Sequence, residues 1–221
     1  MHLFTNDPPR PYWKRFVYRF IQWFTLIPLK VLFGYQYRHV DRLPMTGGAL
    51  ICPNHLSYLD PIMMGSIVPR RANFLAKKAL FENKILNAIL RSIDSIPIDR
   101  EATGIGGMKE TLKRLKKGES VIMFPEGERS TGGELLPLMT GFTALVKRLK
   151  VPVYPVGIHG SYEAWPPGGK PKPGRPIKLV VGHPILFSEL DGKSEEEMAE
   201  IVGQRIAECY QEAREWNLGD S

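Results

Sequence analysis

Apolar side chains recur at three- and four-residue spacing between positions 12 and 33: Trp13, Phe16, Val17, Phe20, Trp23, Phe24 and Ile27, with Lys14, Arg15, Arg19 and Gln22 falling on the other side. That period predicts a helix with one apolar face. A membrane crossing needs about 20 apolar residues with few charges, and Arg19, Gln22, Pro28 and Lys30 interrupt this run. The expected element is therefore an amphipathic helix lying in the membrane plane, aromatics at the acyl boundary and cations among anionic headgroups. A first helix packed on a soluble core is the plainer alternative; two tryptophans beside a basic cluster favour the membrane.

Beyond position 40 short β-rich runs alternate with helical ones. Strands are expected over 49–52, 73–76, 93–98, 120–124, 153–157 and 177–181, and helices over 61–68, 79–91, 101–117 and 136–149. This alternation predicts an α/β fold: a mostly parallel central sheet flanked by helices, preceded by the amphipathic membrane-associating helix. A Pro- and Gly-rich loop punctuates the pattern over 165–176. Ser194 followed three residues later by Glu197 marks a capping box that opens a last helix running to Trp216. No internal repeat is present, so the chain divides into an N-terminal helical segment, 1–38, and one α/β domain, 39–221.

Charge adds a demand for anions without choosing one. With 30 Lys and Arg against 23 Asp and Glu, the net charge is +7, which suits nucleic acid, an anionic membrane or phosphorylated substrates. Against nucleic acid, the aromatics gather in one helix and do not interleave with cations on a sheet face. Cys52 and Cys209 lie far apart in no metal-ligand spacing and read as reduced thiols of a cytosol-facing protein. The first residues show no cleavable signal pattern. The expected location is the cytoplasmic face of the inner membrane, peripheral or monotopic.

Candidate chemistry sits where strands end, the usual ligand edge of an α/β sheet. After the 49–52 strand come Asn54, His55, Asp60 and Pro61. Pro61 suits the first helical position and Asp60 the N-cap, so His55 falls in the turn, where the carboxylate can fold back onto the imidazole. Such a contact fixes one tautomer and leaves the other nitrogen to accept a proton. A lone His is ordinarily structural and a lone Asp a plain helix cap; their pairing at a strand end is what argues for chemistry. Two further segments, Ile-Pro-Ile-Asp-Arg ending at Arg100 and Phe-Pro-Glu-Gly-Glu-Arg-Ser over 124–130, each put an arginine just past a strand. With Lys77 and Lys78 these arginines form an anion-binding rim if the sheet gathers them, since the guanidinium fork matches phosphate. Gly127 allows the backbone close to a ligand.

Asn54-His55-x4-Asp60, the Ile-Pro-Ile-Asp-Arg segment, Phe-Pro-Glu-Gly-x-Arg-Ser and Val-Pro-Val-Tyr-Pro-Val-Gly over 151–157 stand in the order of the four motifs of the glycerolipid acyltransferase family, which the chain resembles from about 40 to 185. The resemblance implies transfer of a fatty acyl group from acyl-coenzyme A or acyl-carrier protein to the free hydroxyl of a lysophospholipid, foremost 1-acyl-glycerol-3-phosphate. It makes His55 the general base and Asp60 its orienting partner. Arg100 becomes a phosphate contact, Glu126, Gly127, Arg129 and the neighbouring Ser130 go to acceptor binding, and Asn54 of the first motif is likewise expected at the substrate. One departure stands out: Glu128 occupies a position where family members commonly carry Thr or Ser. A carboxylate there disfavours a phosphate, and a zwitterionic or amino-bearing lysolipid tolerates it better.

The sequence holds no Gly-x-Ser-x-Gly elbow and no cysteine triad, so direct attack by the acceptor hydroxyl is expected, with the thioester as co-substrate and no cofactor. No metal is implied, because no ligand spacing such as His-Glu-x-x-His occurs. A thioesterase using water as acceptor and a non-catalytic membrane or nucleic-acid binder using the basic surface are the rival readings. His159 and His183 are read as structural.

Overall fold

The computed structural model describes residues 12–70, 72–92, 95–98 and 105–216. Helix α1 (Tyr12–Phe33) leads into strand β1 (Gln36–Arg38), a 3-10 turn and strand β2 (Ala49–Pro53). Helix α2 (Asp60–Ile67), strand β3 (Ala72–Lys77), helix α3 (Lys84–Ser92), strand β4 (Ile96–Ile98) and helix α4 (Ile105–Lys116) follow. Then come β5 (Ser120–Ile122), α5 (Thr143–Leu149), β6 (Val153–His159), α6 (Ser161–Ala164), β7 (Lys178–Val181), α7 (Phe187–Leu190) and α8 (Glu195–Glu215).

The strands form one seven-stranded sheet in the order β1-β7-β6-β2-β5-β3-β4. Every neighbouring pair is parallel except β6–β7, so β7 and β1 run against the other five. The mostly parallel sheet flanked by helices is the architecture expected from the alternating pattern. β2 is buried along its whole length because both faces are covered, the normal state of a parallel sheet. Its alternate side chains enter different cores. Ile51 joins Met63, Met64, Phe74, Val156, Ile158, Leu29 and Phe33 under α1 and α2. Leu50 and Cys52 join Val121, Val146, Val153, Met198 and Val202 under α5 and α8.

Several boundaries differ from the sequence reading, each for a local reason. The 177–181 run begins its strand at Lys178, and a short strand at 36–38, too brief to leave a periodic signal, closes the edge of the sheet beside it, so the sheet reaches across the 38/39 division. Helical structure expected over 136–149 is confined to a 3-10 turn at Thr140–Phe142 and to α5. The preceding residues stay extended because the Leu136 N–H donates to Glu126 and the Met139 N–H donates to the Pro125 carbonyl, 2.8 Å away. The 79–91 helix splits into a 3-10 turn and α3. Positions 93, 94 and 101–104 of the expected strand and helix lie outside the described residues. The capping box is present: Ser194 Oγ accepts from the Glu197 N–H at 3.1 Å, and Glu197 Oε2 accepts from the Ser194 N–H at 2.7 Å.

The amino edge of the sheet is clamped by Arg70. Its buried guanidinium donates to the carbonyls of Pro44 and Gly118 at 3.0 and 2.9 Å, to Ser120 Oγ at 2.7 Å, and to the Gly47 carbonyl. A guanidinium inside a protein is tolerable only when its donors are used in this way. The candidate residues after β2 and β5 lie at the opposite, carboxyl edge.

Candidate active site

At the carboxyl edge β2 hands over to the turn carrying His55, and β5, hydrogen-bonded beside it, hands over to the loop 123–139. Asn54 locks the first turn to β6. Its side-chain oxygen accepts from the Ile158 N–H at 2.7 Å and its amide donates to the Ile158 carbonyl at 3.0 Å. A fully buried amide used this way continues the ladder one residue past the strand. Expected as a substrate contact, Asn54 is placed as a fixture of the turn.

Asp60 is fully buried, at the first residue of α2 and so one position inside the helix from the expected cap. Its Oδ2 accepts three bonds: from the Leu56 and Ser57 N–H groups, each at 2.7 Å, and from the His55 ring, with Nδ1 at 2.9 Å. Two backbone donors hold the oxygen where the imidazole must meet it. With both backbone N–H groups donating to it, this oxygen is the acceptor in all three bonds. His55 Nδ1 therefore carries the proton of that bond, and Nε2 is left as the basic nitrogen. Phe124 lies against the imidazole, ring centroids 3.9 Å apart and planes 23° from parallel, which fixes the ring about its remaining torsion.

Glu126 ties the two loops together. Its Oε1 accepts from the His55 N–H at 3.0 Å and its Oε2 from the Leu136 N–H at 3.3 Å, while the Ser130 N–H donates to the His55 carbonyl at 3.1 Å. Burial pushes the Glu126 carboxyl up to about 7, against the pull of those two N–H donors and with some help from the Asp60 charge. Ser130 is buried, its hydroxyl accepting from the Gly133 N–H. Both residues, expected at the acceptor, are built into the scaffold of the loop. Gly127 has φ near +81°, a conformation that side chains rarely adopt, and a Cβ there would collide with Met139 Sδ.

Arg129 is half-buried, its guanidinium carbon 3.8 Å above the centre of the Tyr58 ring. Tyr58 is flanked in turn by Trp165, ring centroids 5.5 Å apart. The Gly168 N–H and, after it, the Arg129 charge hold the pKa of the Tyr58 hydroxyl below its ordinary value. Trp165 also reaches the His55–Asp60 turn through its carbonyl, which accepts from Ser57 Oγ at 2.7 Å. Lys77 and Lys78 are exposed at the end of β3, on the same sheet edge but two strands from β2 in the sheet order, about 10 Å away at the usual strand spacing. Arg100 lies outside the described residues. Glu128 is exposed and, among the described residues, has no ion-pair partner. Sequence reasoning missed Phe124, Tyr58 and Trp165 as members of the site: aromatic residues in motif loops read as packing until a ring is seen against a functional group.

Among the described residues no group of His, Cys, Asp and Glu is arranged to hold a metal ion. The arrangement is suited to removing a proton from a hydroxyl: a carboxylate-oriented imidazole with one free nitrogen, at the open edge of a sheet beside a positioned guanidinium.

Comparison with known proteins bears on the same residues. The Acyltransferase family model matches residues 35–159, a span that includes His55, Asp60 and the whole of the loop 124–130. A 1-acyl-sn-glycerol-3-phosphate acyltransferase of Bacillus subtilis (strain 168) is 34% identical over 182 residues, 79% of this chain and 87% of that protein. A protein of the same name from Streptococcus pneumoniae is 28% identical over 189 residues, covering 82% of this chain and 68% of its own length. The crystal structure of the 1-acyl-sn-glycerophosphate acyltransferase PlsC from Thermotoga maritima superposes with a TM-score of 0.81 over 96% of this chain and 86% of that one, at 22% identity. At that identity the likeness is one of fold.

Proposed function

As a member of the acyltransferase family this chain is an O-acyltransferase, and we propose that it acylates the free hydroxyl of 1-acyl-sn-glycerol-3-phosphate to give phosphatidic acid. The carrying observation is the 2.9 Å contact between His55 Nδ1 and an Asp60 oxygen pinned by two backbone N–H groups. Proteins of that name among the relatives support the acceptor.

In the proposed reaction His55 Nε2 takes the proton of the acceptor hydroxyl as its oxygen attacks the thioester carbonyl. Asp60 stabilises the imidazolium that results. The tetrahedral intermediate collapses with cleavage of the C–S bond, and the imidazolium returns its proton to the departing thiolate. Proton transfer by a positioned base contributes about 10² to 10⁴ in rate. Arg129, held flat by Tyr58, aligns the acceptor phosphate, with Arg100, Lys77 and Lys78 extending the cationic rim. Acyl-coenzyme A or acyl-carrier protein is the co-substrate.

The acceptor resides in a bilayer, and α1 supplies a seat on it. Phe20, Trp23, Phe24, Ile27 and Val31 form an exposed stripe, Trp23 72% and Val31 76% accessible. Behind them Leu29 and Phe33 enter the core, and Gln22 donates to the Gly65 and Val68 carbonyls. Among the described residues no helix is long and apolar enough to cross a membrane. A helix with its back fixed to the protein and aromatics facing outward fits the interfacial mode, on the cytoplasmic face of the inner membrane.

The test is a thiol-release assay with labelled acyl thioesters of both carriers and a panel of lysolipids. Transfer to 1-acyl-glycerol-3-phosphate is expected, lost in His55→Ala with fold and vesicle binding retained. Undiminished turnover in that variant would remove the base from the mechanism. Glu128, exposed and without an ion-pair partner among the described residues, supports a second reading, in which an amino-bearing or zwitterionic lysolipid is preferred. The same panel decides between them, and acid release without any lysolipid would mark a thioesterase.

A further inference from the structure

The Pro- and Gly-rich segment after α6 is not a loose connection. Lys172 N–H donates to the Ala164 carbonyl at 2.7 Å, and the Trp165 indole donates to the Gly169 carbonyl at 3.0 Å. Gly174 N–H donates to the Leu32 carbonyl at 2.7 Å and Ile177 N–H to the Phe33 carbonyl at 3.0 Å. These bonds lay the segment against the last turn of α1, where Val31 and Leu32 are exposed. Lys170, Lys172 and Arg175 are exposed on it, and among the described residues none of the three has an ion-pair partner. Fixed, unneutralised cations thus border the end of an apolar stripe, the chemistry that an anionic bilayer matches, acyl chains meeting the stripe and headgroups the rim.

We propose that the segment carrying Lys170, Lys172 and Arg175 is a docking surface for anionic bilayer headgroups, continuous with the apolar stripe of α1. It rests on the reading of α1 as the membrane seat, and it adds a lipid preference to that seat. The segment also reaches the catalytic turn, since the Trp165 carbonyl holds Ser57. Headgroup contact therefore sets the site mouth against the lipid surface from which the acceptor enters. Continuity with the stripe favours a bilayer over an acidic carrier protein as the partner.

The experiment measures binding of the full chain to phosphatidylcholine vesicles and to vesicles mixed with phosphatidylglycerol. A Lys near an anionic surface contributes roughly fivefold to affinity, so Lys170→Gln/Lys172→Gln/Arg175→Gln should weaken binding to the mixed vesicles on the order of a hundredfold. Binding to pure phosphatidylcholine and the melting temperature should stay at wild-type values. Single substitutions, each expected to cost about fivefold, repeat the measurement should the triple variant fold poorly. Unchanged affinity for the mixed vesicles would overturn the proposal. So would a variant whose only loss is melting temperature, since cations beside a helix C-terminus can merely complement its dipole. A defect confined to kcat/KM for an acyl-carrier protein would overturn it in favour of a protein partner. Trp23→Ser/Phe24→Ser separates the underlying reading: it should weaken binding to both vesicle types, and full binding by it would unseat α1 without touching the cation measurement.

Discussion

At the scale of single residues the site is a set of side chains held by backbone. Asp60 meets two N–H groups as well as the imidazole, so Asp60→Asn should keep the turn while presenting a neutral oxygen to His55. The expected outcome is a fall in kcat of about 10² or more with little change in melting temperature. Tyr58 carries the Arg129 guanidinium on its face. Tyr58→Leu should raise KM for the acceptor severalfold at nearly constant kcat, whereas Tyr58→Phe keeps the ring and should behave as wild type. If both raise KM equally, the hydroxyl and not the face is what matters. Glu126 gives a pH signature. Its folded carboxyl titrates at about 7, against an ordinary 4.5, so the folded state favours the protonated form. That contribution is whole below 4.5 and fades as pH rises to about 7, on the order of 1–3 kcal/mol. Melting temperature should therefore decline across that window, and Glu126→Gln should flatten the decline.

At the scale of elements, legibility followed periodicity and strand-end chemistry. The His55–Asp60 contact could be read from sequence because a turn, a helix-starting Pro61 and two complementary groups stand within a few residues. The strands at the centre of the sheet were equally plain, since buried parallel strands leave short continuous apolar runs such as 49–52. What could not be read depends on partners distant in the chain. Leu136–Met139 is apolar and adjoins a helical run, but Pro137 biases Leu136 to extended backbone and the Glu126 carboxylate and Pro125 carbonyl take the N–H groups of Leu136 and Met139. Asn54 belongs to a motif, yet its amide is taken by Ile158, more than a hundred residues on. The same distance hides a packing constraint between β6 and α8. A Cβ on Gly157 would sit 2.1 Å from the Tyr210 nitrogen and 2.2 Å from the Cys209 carbonyl carbon. Backbone cannot rotate aside as a side chain can, so Gly157→Ala should cost about 3 kcal/mol or more, visible as a lowered urea midpoint. Gly141→Ala, with open space around it, is the matched control and should leave the midpoint within a few tenths of a unit of wild type.

At the scale of the whole molecule the two edges of the sheet do different work. Arg70 gathers the amino-edge loops in one buried knot, and the carboxyl edge is left to chemistry. Replacing Arg70 by Met would strand several carbonyls without a donor, and the expected loss is about 3–5 kcal/mol of stability with kcat of the surviving folded fraction preserved. A proportionate fall in kcat per folded molecule, measured by active-site titration, would contradict that separation.

Between α1 and β1 the chain spends only two residues. Gly34 turns through a positive φ, and Tyr35 is driven into the core with its hydroxyl towards the Met63 carbonyl. There is no tether at this joint, only a corner. A helix lying in lipid would thus hold the sheet like a bracket, at one tilt and one height. The depth at which His55 meets an incoming hydroxyl is then set by covalent geometry instead of by the sway of a leash.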